Sequence, residues 1–502
     1  MKIKVQRILD VLLFGGIFLF LTVFFTQVHP LLPYDMDDWS YLSFRRNAYP
    51  IWGNWNPARV FPETFMALIS DIGVYLYTPL FHMDYLHGQI LAHGMAVALF
   101  ITIYVFLFRR FLKRKLHTGD GNSILLTLLF LLVHFSIFRS EHDANEHLFW
   151  TFNLTGYWYY VIPNLVNASL VLWLLGTTAE ERKRAGYVQK GILVLISYLA
   201  ILSNIFPTAI LMVWLGEELL QTVYTMKKRG KHKPKEWLSA LSWQLPAFAL
   251  WFVSLIFEAN GGRAGDASPM DLKASITRFF AWAGRLNKQS AALLGGIAIA
   301  AIALYLTDKK HKNISKEDAG LMTAFVIAAI LCSVFEILLC AKVDPEKMEL
   351  SRVIFPVCFY VFLFVLTAAE RLIAASPKTV IALPLILYIL LINTRIGERT
   401  FLDQNGTNLD GKRAAALTQY ILDQAVTADE EGLERAELHV PAWQQEDNWP
   451  HAYGLGESVS QTLYRHGIVS RRIEFTVVPD KKVNELFSIE DTAVDLSRGI
   501  RR

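Results

Sequence analysis

Long apolar runs alternate with short polar segments along the first 394 residues of the chain. A helix that crosses a bilayer satisfies its own backbone hydrogen bonds over about 20 apolar residues, so each such run predicts a transmembrane helix. We predict spans over 8–27, 85–108, 122–138, 150–176, 189–206, 208–226, 237–257, 289–307, 319–340, 352–373 and 379–394. The pattern therefore predicts a mainly α-helical, polytopic membrane protein with about eleven transmembrane helices.

The apolar segment 63–81 is left out of these spans. It carries Glu63 and Asp71 and reaches Pro79 near its end. A charged side chain at the middle of a bilayer costs roughly 2.5–3.5 kcal/mol. We therefore predict an interfacial or re-entrant helix here. The first apolar run has the length of a span and no small-residue cleavage site after it, which favours a retained helix over a signal peptide.

Basic clusters give the orientation. Arginine and lysine concentrate in cytoplasmic loops, and with a cytoplasmic N-terminus every dense cluster falls on that side: 109–115, 182–184, 227–235 and 309–316. The loops 28–62, 139–149, 258–288 and 341–351 are then predicted to be extracytoplasmic, together with the C-terminal tail.

Residues 395–502 differ in character from the rest. An amphipathic helix is predicted near 411–426 and another near 456–466, and strand-like alternation covers 436–442 and 473–480. We predict a small extracytoplasmic α/β domain here, following a membrane domain over 1–394.

Composition narrows the class further. The chain of 502 residues is 53% hydrophobic and 19% charged, below the roughly 25% charged residues typical of soluble domains. A soluble, disordered or fibrous protein is excluded on this ground. The net charge of +4 is too small and dispersed to indicate nucleic-acid binding. Cys332, Cys340 and Cys358 lie in or beside apolar runs, and their spacing predicts neither a disulfide framework nor a zinc site.

The first outer loop, residues 31–63, carries the strongest chemical signal. A carboxylate at the membrane–water boundary can act as a general base on an acceptor hydroxyl, and arginine suits a lipid-borne phosphate. Aromatic rings there can pack against sugar rings or form an interfacial belt. Asp35 as an N-cap, with the next acidic residues in the first helical turn, is the structural alternative. The candidate residues of this loop are Asp35, Asp37, Asp38, Trp39, Arg59 and Glu63.

A span followed by an outer loop that opens with Asp37-Asp38-Trp39 and continues to Arg59-Val60-Phe61-Pro62 resembles the bacterial GT-C glycosyltransferase superfamily, in particular Gtr-type and other multi-spanning transferases that use polyprenyl-phosphate sugars. The resemblance implies a GT-C-like catalytic domain over 1–394, with the acidic motif in the outer loop 28–84. It implies that Asp37 or Asp38 is the general base or an acceptor-binding carboxylate, and that Arg59 binds the donor phosphate. It also implies transfer on the extracytoplasmic face.

Three further outer loops offer substrate-binding candidates. In the second loop these are Arg139, Glu141, His142, Glu146 and Trp150. His142 and Glu146 would share a face of a helix, which leaves a divalent metal or an ordinary solvated loop as alternatives. In the third loop, Arg263 follows two glycines that would allow an anion to approach the backbone. Arg352, at the mouth of a span, would bind the donor phosphate or lipid headgroups.

Together these features predict a cell-membrane glycosyltransferase, acting in cell-wall or surface-polysaccharide synthesis. Its expected partners are the bilayer, a polyprenyl-phosphate-linked sugar donor and a glycan or lipid-linked acceptor. No cofactor or metal site is expected, and nucleic acid is not expected as a partner. The alternatives are a transporter or flippase of lipid-linked glycans, and a glycan polymerase or ligase.

Overall fold

The computed structural model of the chain describes residues 2–44, 59–138, 146–151, 153–228, 236–237, 241–259, 269–308, 314–394, 402–404, 407–442, 454–489, 494–495 and 500–501. Within these ranges the protein is mainly helical, and its strands form two-stranded sheets that all lie after residue 400. The predicted class, a helical membrane protein, agrees with this architecture.

The first part of the chain forms a series of helices, several of them extended by wider π-helical turns. These helices are α1 (Lys2–Val23), α2 (Met36–Ser43), α3 (Met66–Ile72), α4 (Thr78–Phe81), α5 (Tyr85–Arg114), α6 (Asp120–Ser136), α7 (Leu154–Gly156), α8 (Ile162–Leu175), α9 (Ala179–Arg184), α10 (Tyr187–Ile201) and α11 (Ile205–Lys228). The π-helical turns are Phe24–Val28, Phe61–Phe65, Gly73–Tyr77 and Tyr157–Val161.

The helices continue to the end of the membrane region as α12 (Gln244–Ala259), α13 (Leu272–Gly284), α14 (Lys288–Thr307), α15 (Lys316–Val343), α16 (Ser351–Ala375) and α17 (Ala382–Asn393). Short 3₁₀ segments, Pro345–Glu349 and Pro377–Ile381, precede α16 and α17. Polar residues between the apolar runs define several helix starts. Asp84 caps α5 and Ser315 caps α15, each accepting a hydrogen bond from a backbone N–H of the first turn.

Seven helical segments among the described residues are long and apolar enough to cross a membrane: Gln6–Val28, Phe61–Phe81, Tyr85–Arg114, Leu154–Leu175, Lys288–Thr307, Lys316–Val343 and Ser351–Ala375. Shorter apolar helices cover Asp120–Ser136, Tyr187–Ile201, Gln244–Glu258 and Pro377–Asn393. Phe61–Phe81 is long and apolar enough to cross a membrane, although the sequence predicts an interfacial or re-entrant helix over 63–81. Helix α11, predicted as a span over 208–226, carries Glu217 and Glu218 and is not among the seven.

Two helical segments form the centre of the bundle. Leu154–Leu175 and Ser351–Ala375 are 83% and 89% buried over their most apolar windows, whereas Gln6–Val28 and Lys288–Thr307 are only 22% and 17% buried. The peripheral helices therefore surround these two. The N-terminal ends of both central segments contribute to the candidate site.

The C-terminal part combines helices with short strands. It comprises β1 (Leu402–Gln404), β2 (Thr407–Asn408), α18 (Gly411–Glu430), β3 (Arg435–Pro441), α19 (Leu455–Arg465), β4 (Glu474–Asp480), α20 (Lys481–Leu486), β5 (Val494–Asp495) and β6 (Ile500–Arg501). Strands β3 and β4 are parallel, with Arg435 opposite Glu474 and Pro441 opposite Asp480, and α19 connects them. The two helices and two strands predicted from periodicity correspond to α18, β3, α19 and β4.

Candidate functional site

The acidic segment after the first apolar helix starts α2. Asp35 is the N-cap: its Oδ1 accepts a hydrogen bond from the Asp38 N–H at 2.9 Å, and Asp38 Oδ2 accepts one from the Asp35 N–H at 3.4 Å. This reciprocal pair is a capping box that satisfies two backbone donors at once. The N-cap interpretation of Asp35 is thereby confirmed.

The Asp38 carboxylate is buried and joins α2 to the start of α7. Its Oδ1 accepts hydrogen bonds from the Thr155 N–H at 2.6 Å and the Thr155 hydroxyl at 2.7 Å. Its Oδ2 accepts from the backbone N–H groups of Tyr34 at 3.0 Å, Leu154 at 3.3 Å and Asp35. Both oxygens of this carboxylate accept hydrogen bonds from the fold. Its role is therefore to fix the positions of the backbone segments that donate these bonds.

Burial changes the acidity of both carboxyl groups. It raises the pKa of Asp38 to about 6, although the hydrogen bonds from Thr155 and the backbone favour the ionised form. It raises the pKa of Asp35 well above its usual range, and the nearby charge of Asp38 adds to that effect. Adjacent buried carboxylates do not both ionise without cost. The pair therefore binds a proton more readily than two exposed aspartates would.

Asn153 completes this anchor from the other side. Its Nδ2 donates to Asp35 Oδ2 at 2.6 Å, and its Oδ1 accepts from the Gly156 N–H at 2.8 Å, which caps α7. A Cβ at residue 156 would collide with Thr151 Oγ1 and lie 2.8 Å from Asn153 Oδ1. Glycine is thus required at 156 for the close approach of these segments.

The half-buried face of α2 carries a different set of side chains. Asp37 and Tyr41 are four residues apart, so they lie on one face of the helix, and both are partly exposed. The buried face carries Asp38, Leu42 and Trp39, which is 1% exposed and stacks on the Tyr85 ring with 6.5 Å between centroids. Of Asp35, Asp37 and Asp38, Asp37 is the residue that is partly exposed.

Arg59 forms a bidentate ion pair with Glu258. Its Nε and Nη2 lie 3.2 and 2.8 Å from the two carboxylate oxygens, with the side chains 21% and 19% exposed. Burial alone would lower the pKa of Arg59, but the hydrogen bonds and charge of Glu258 raise it above its usual range. Arg59 has a φ of +60°, and the next residue, Val60, donates its N–H to the Leu202 carbonyl at 3.2 Å. The backbone thus holds the positive charge of Arg59 next to the first helix after the loop that is long and apolar enough to cross a membrane.

Glu63 and Tyr159 connect this cation to α2. Each lies in a π-helical turn, Phe61–Phe65 and Tyr157–Val161, a geometry that recurs at functional sites. The Tyr159 hydroxyl donates to Tyr41 Oη at 3.0 Å and lies 3.4 Å from Glu63 Oε1. Glu63 is 1% exposed. These contacts join Tyr41, Tyr159 and Glu63, and Arg59 lies within electrostatic range of Tyr159 and Glu63. The four residues are hereafter the tyrosine–arginine wall, and Tyr41 connects it to the face of α2 that carries Asp37.

Glu146, in the segment before α7, forms a second ion pair. Its Oε2 pairs with Arg285, and its Oε1 accepts from the Ser351 N–H at 3.1 Å, at the first residue of α16. Arg285 also donates to the Glu349 carbonyl at 2.6 Å. These contacts tie the second loop to the segment before α16.

Arg352 lies within this second group. Its side chain is buried, its Nη1 donates to Thr151 Oγ1 at 3.2 Å, and its guanidinium lies 5.2 Å from the centre of the Tyr160 ring. Trp150, next to Thr151, is half-buried. Tyr160 is the chain neighbour of Tyr159. The contact between Arg352 and Tyr160 therefore places the residues around Glu146 and Arg352 next to the tyrosine–arginine wall.

The C-terminal helix α19 packs directly on α2. Ser458 Oγ and Ser40 Oγ are 2.7 Å apart, as are Thr462 Oγ1 and Ser43 Oγ. Thr462 also donates to the Trp39 carbonyl at 2.6 Å. The polar face of the helix that carries Asp37 is therefore bordered by the C-terminal part of the chain.

Four of the predicted site residues, Arg139, Glu141, His142 and Arg263, lie outside the described residues. No protein-family model matches the chain, and no curated protein is similar enough to count as a relative.

Several residues of the site were not singled out from the sequence. Asn153 and Thr155 lie more than 100 positions from the carboxylates they contact, and Glu258 lies 199 positions from Arg59. Asn153 and Thr155 carry a recognisable signal, because Asn and Thr directly before an apolar helix are typical caps. Glu258 offers only a charge at the end of an apolar run.

Proposed function

We propose that this protein is an integral-membrane glycosyltransferase. It transfers a sugar from a polyprenyl-phosphate-linked donor to a hydroxyl of a cell-surface glycan or lipid-linked acceptor, on the extracytoplasmic face. The Asp37-Asp38-Trp39 motif and Arg59 support the class through their resemblance to GT-C transferases. The observation that carries the proposal is the set of polar contacts that joins Tyr41, on the helix face that also carries Asp37, to Tyr159 and Glu63 beside Arg59.

The two neighbouring aspartates have different roles in this proposal. The Asp38 carboxylate receives its donors from Thr155, Tyr34 and neighbouring backbone, so it holds the loop in place. Asp37 lies on the partly exposed face and is the general base. Arg59 is the proposed donor-phosphate ligand, since a guanidinium is always charged. Because its Nε and Nη2 already pair with Glu258, the phosphate either contacts Nη1 or displaces the Glu258 carboxylate.

The reaction needs few groups. The acceptor oxygen attacks the anomeric carbon, the bond from that carbon to the phosphate oxygen breaks, and its electron pair leaves with the polyprenyl phosphate. The hydroxyl proton passes to Asp37, and a single displacement inverts the anomeric carbon. Because the leaving group is a phosphate, stabilisation of its charge by Arg59 matters more than protonation of it.

The topology that we propose has eleven spans and places residues 395–502 outside the cytoplasm. The packing of α19 on α2 supports this arrangement, because the two helices must lie on the same side of the membrane. The segments that build the site, 35–44, 59–63, 146–161 and 349–352, lie in or beside loops that the positive-inside rule assigns to that side. The predicted GT-C-like catalytic domain is then residues 1–394.

A transfer assay tests the proposal. The purified full chain in phospholipid vesicles is supplied with a panel of polyprenyl-phosphate sugars and with acceptor glycan, and free polyprenyl phosphate is measured. We expect acceptor-dependent release, and a loss of at least 100-fold (on the order of general-base catalysis) in Asp37→Asn with unchanged folding. Asp423→Asn, which removes an exposed aspartate of α18, is the matched control. Full activity in Asp37→Asn would reject the base assignment. Movement of intact lipid-linked sugar across the bilayer without release would indicate a transporter or flippase.

A further inference from the structure

An apolar groove runs along the side of the helical bundle, from Phe61 at the end of the first loop to the far end of α5. Helix α5 contributes one stripe to it, Phe100, Ile103 and Leu107, and α8 and α10 line the other walls with residues that include Trp173 and Ile196. Its volume is about 670 Å³. The groove opens to the surroundings, because Ile103 and Ile196 are 42% and 37% exposed. In a protein with spanning helices, an open apolar groove of this kind faces lipid.

One end of the groove is basic. The α5 stripe continues into Arg110 and Arg114, and Arg182 and Lys190 complete the end, while Glu181 is the carboxylate among the described lining residues. Cations outnumber anions there by four to one, counted over those residues.

Two of the four basic side chains, Arg110 and Lys190, are held by uncharged groups, and the other two pair with carboxylates. Arg110 Nη2 donates to Thr177 Oγ1 at 3.1 Å, and Lys190 Nζ donates to the Lys183 carbonyl at 3.0 Å. Arg114 pairs with Glu181. Arg182 donates to backbone carbonyls, including that of Thr177 at 3.3 Å, and lies 3.6 Å from Glu218. The end of the groove thus keeps a surplus of positive charge within reach of a ligand that lies along the apolar walls.

We propose that this groove is a binding site for an anionic diacyl phospholipid. An acyl chain lies along the α5 stripe, and the phosphate contacts Arg110 and Lys190. The distance from Phe100 to Arg110, ten residues of helix, is about 15 Å, which matches the hydrocarbon thickness of one leaflet, about half of 30 Å. A groove that is apolar over the thickness of one leaflet and cationic at its end is complementary in shape and charge to an anionic lipid. Basic pockets between helices are known to favour such headgroups.

The basic end of the groove is separate from the proposed transfer chemistry. Phe61, which precedes Glu63 by two residues, lines the groove, while the basic residues on α5 lie at the end of the helix farthest from Asp84 and Tyr85. By the positive-inside rule this end belongs to the cytoplasmic leaflet. The lipid-binding proposal can therefore be confirmed or rejected whatever the glycosyl-transfer assay shows.

Fluorescence quenching by brominated lipids tests the proposal. The full chain in detergent is titrated with dibrominated phosphatidylglycerol or with phosphatidylcholine of the same acyl chains, and tryptophan emission is recorded. Trp173 lines the groove, so the part of the quenching that disappears in Trp173→Phe reports occupancy. We expect saturable quenching by phosphatidylglycerol at concentrations where phosphatidylcholine gives little.

Removal of the cations should weaken this binding. We expect Lys190→Gln to raise the half-saturation concentration about fivefold, and Arg110→Gln with Lys190→Gln about 25-fold. Lys190 is exposed, so its single variant keeps the test valid if the double variant folds poorly. Lys227→Gln with Lys228→Gln, at the end of α11 and outside the groove, is the matched control and should bind normally.

Three results would overturn the proposal. The first is equal quenching by the two phospholipids. The second is unchanged binding in Lys190→Gln, or binding in the control that is weakened as much as in the double variant. The third is displacement of phosphatidylglycerol by a polyprenyl phosphate that binds the double variant as well as the wild type, which would assign the groove to an isoprenoid chain.

Discussion

Replacement of Asn153 by alanine gives a direct measure of how strongly the acidic loop is anchored. Asn153 is buried and makes two hydrogen bonds, one to the Asp35 carboxylate and one from the Gly156 N–H. Loss of a helix cap costs about 0.5–2 kcal/mol, and loss of a hydrogen bond to a charged group costs about 1.5–3 kcal/mol. We therefore expect Asn153→Ala to lower the free energy of unfolding by about 3 kcal/mol.

The measurement is denaturant unfolding in detergent, with a double-mutant cycle. Asn393→Ala is the control, because Asn393 makes a single exposed hydrogen bond, to Gln289; its effect should stay within about 0.5 kcal/mol. Combining Asn153→Ala with Asp35→Ala should reveal a coupling energy of about 1.5–3 kcal/mol. An effect of Asn153→Ala no larger than that of the control, or a coupling energy near zero, would refute the anchoring role.

Other substitutions probe the same end of the bundle. Burial lowers the pKa of His29 to about 3, so the unfolded state binds the proton more tightly. The free energy of unfolding is then fully retained above pH 6.5 and decreases as the pH falls toward 3, by about 2 kcal/mol at pH 5. His29→Gln should reduce this dependence of the free energy of unfolding on pH. Gly156→Ala should cost about 1–3 kcal/mol, because its Cβ would press on Thr151; a thermal unfolding scan that matches wild type would contradict this. Thr462→Val should cost about 1–2 kcal/mol by removing the hydroxyl that donates to the Trp39 carbonyl and contacts the Ser43 hydroxyl, seen as faster protease release of the C-terminal part, and no change in that rate would argue against the contact.

Local patterns in the sequence were enough to predict much of the fold. The apolar runs and their polar ends predict the helices, and alternation predicts β3 and β4, because these patterns are set by nearby residues. The cap at Asp35 follows in the same way, from a carboxylate before an apolar turn with a second one three residues later.

The composition of the site depends on contacts between distant segments, which a single sequence does not contain. The sequence brings Asp37, Asp38 and Trp39 together as candidates, but helical geometry separates them: Asp38 and Trp39 face the core and Asp37 does not. Arg59 was expected to meet a phosphate, and the fold places Glu258 against it. The residues near Arg59 do not indicate its pair with Glu258, and the residues near Asp38 do not indicate its contact with Thr155.

The contact between α2 and α19 has a consequence for biosynthesis. Ser40 and Ser458 are 418 positions apart, and a ribosome adds roughly 5–20 residues per second, so α2 waits roughly 20–80 seconds for its partner. During that interval the nascent chain has its first helices and its aspartates, but α19, on which Ser40 and Ser43 pack, has not yet been synthesised. Any product terminated before residue 455 would remain in this immature state permanently, however well its membrane helices had inserted.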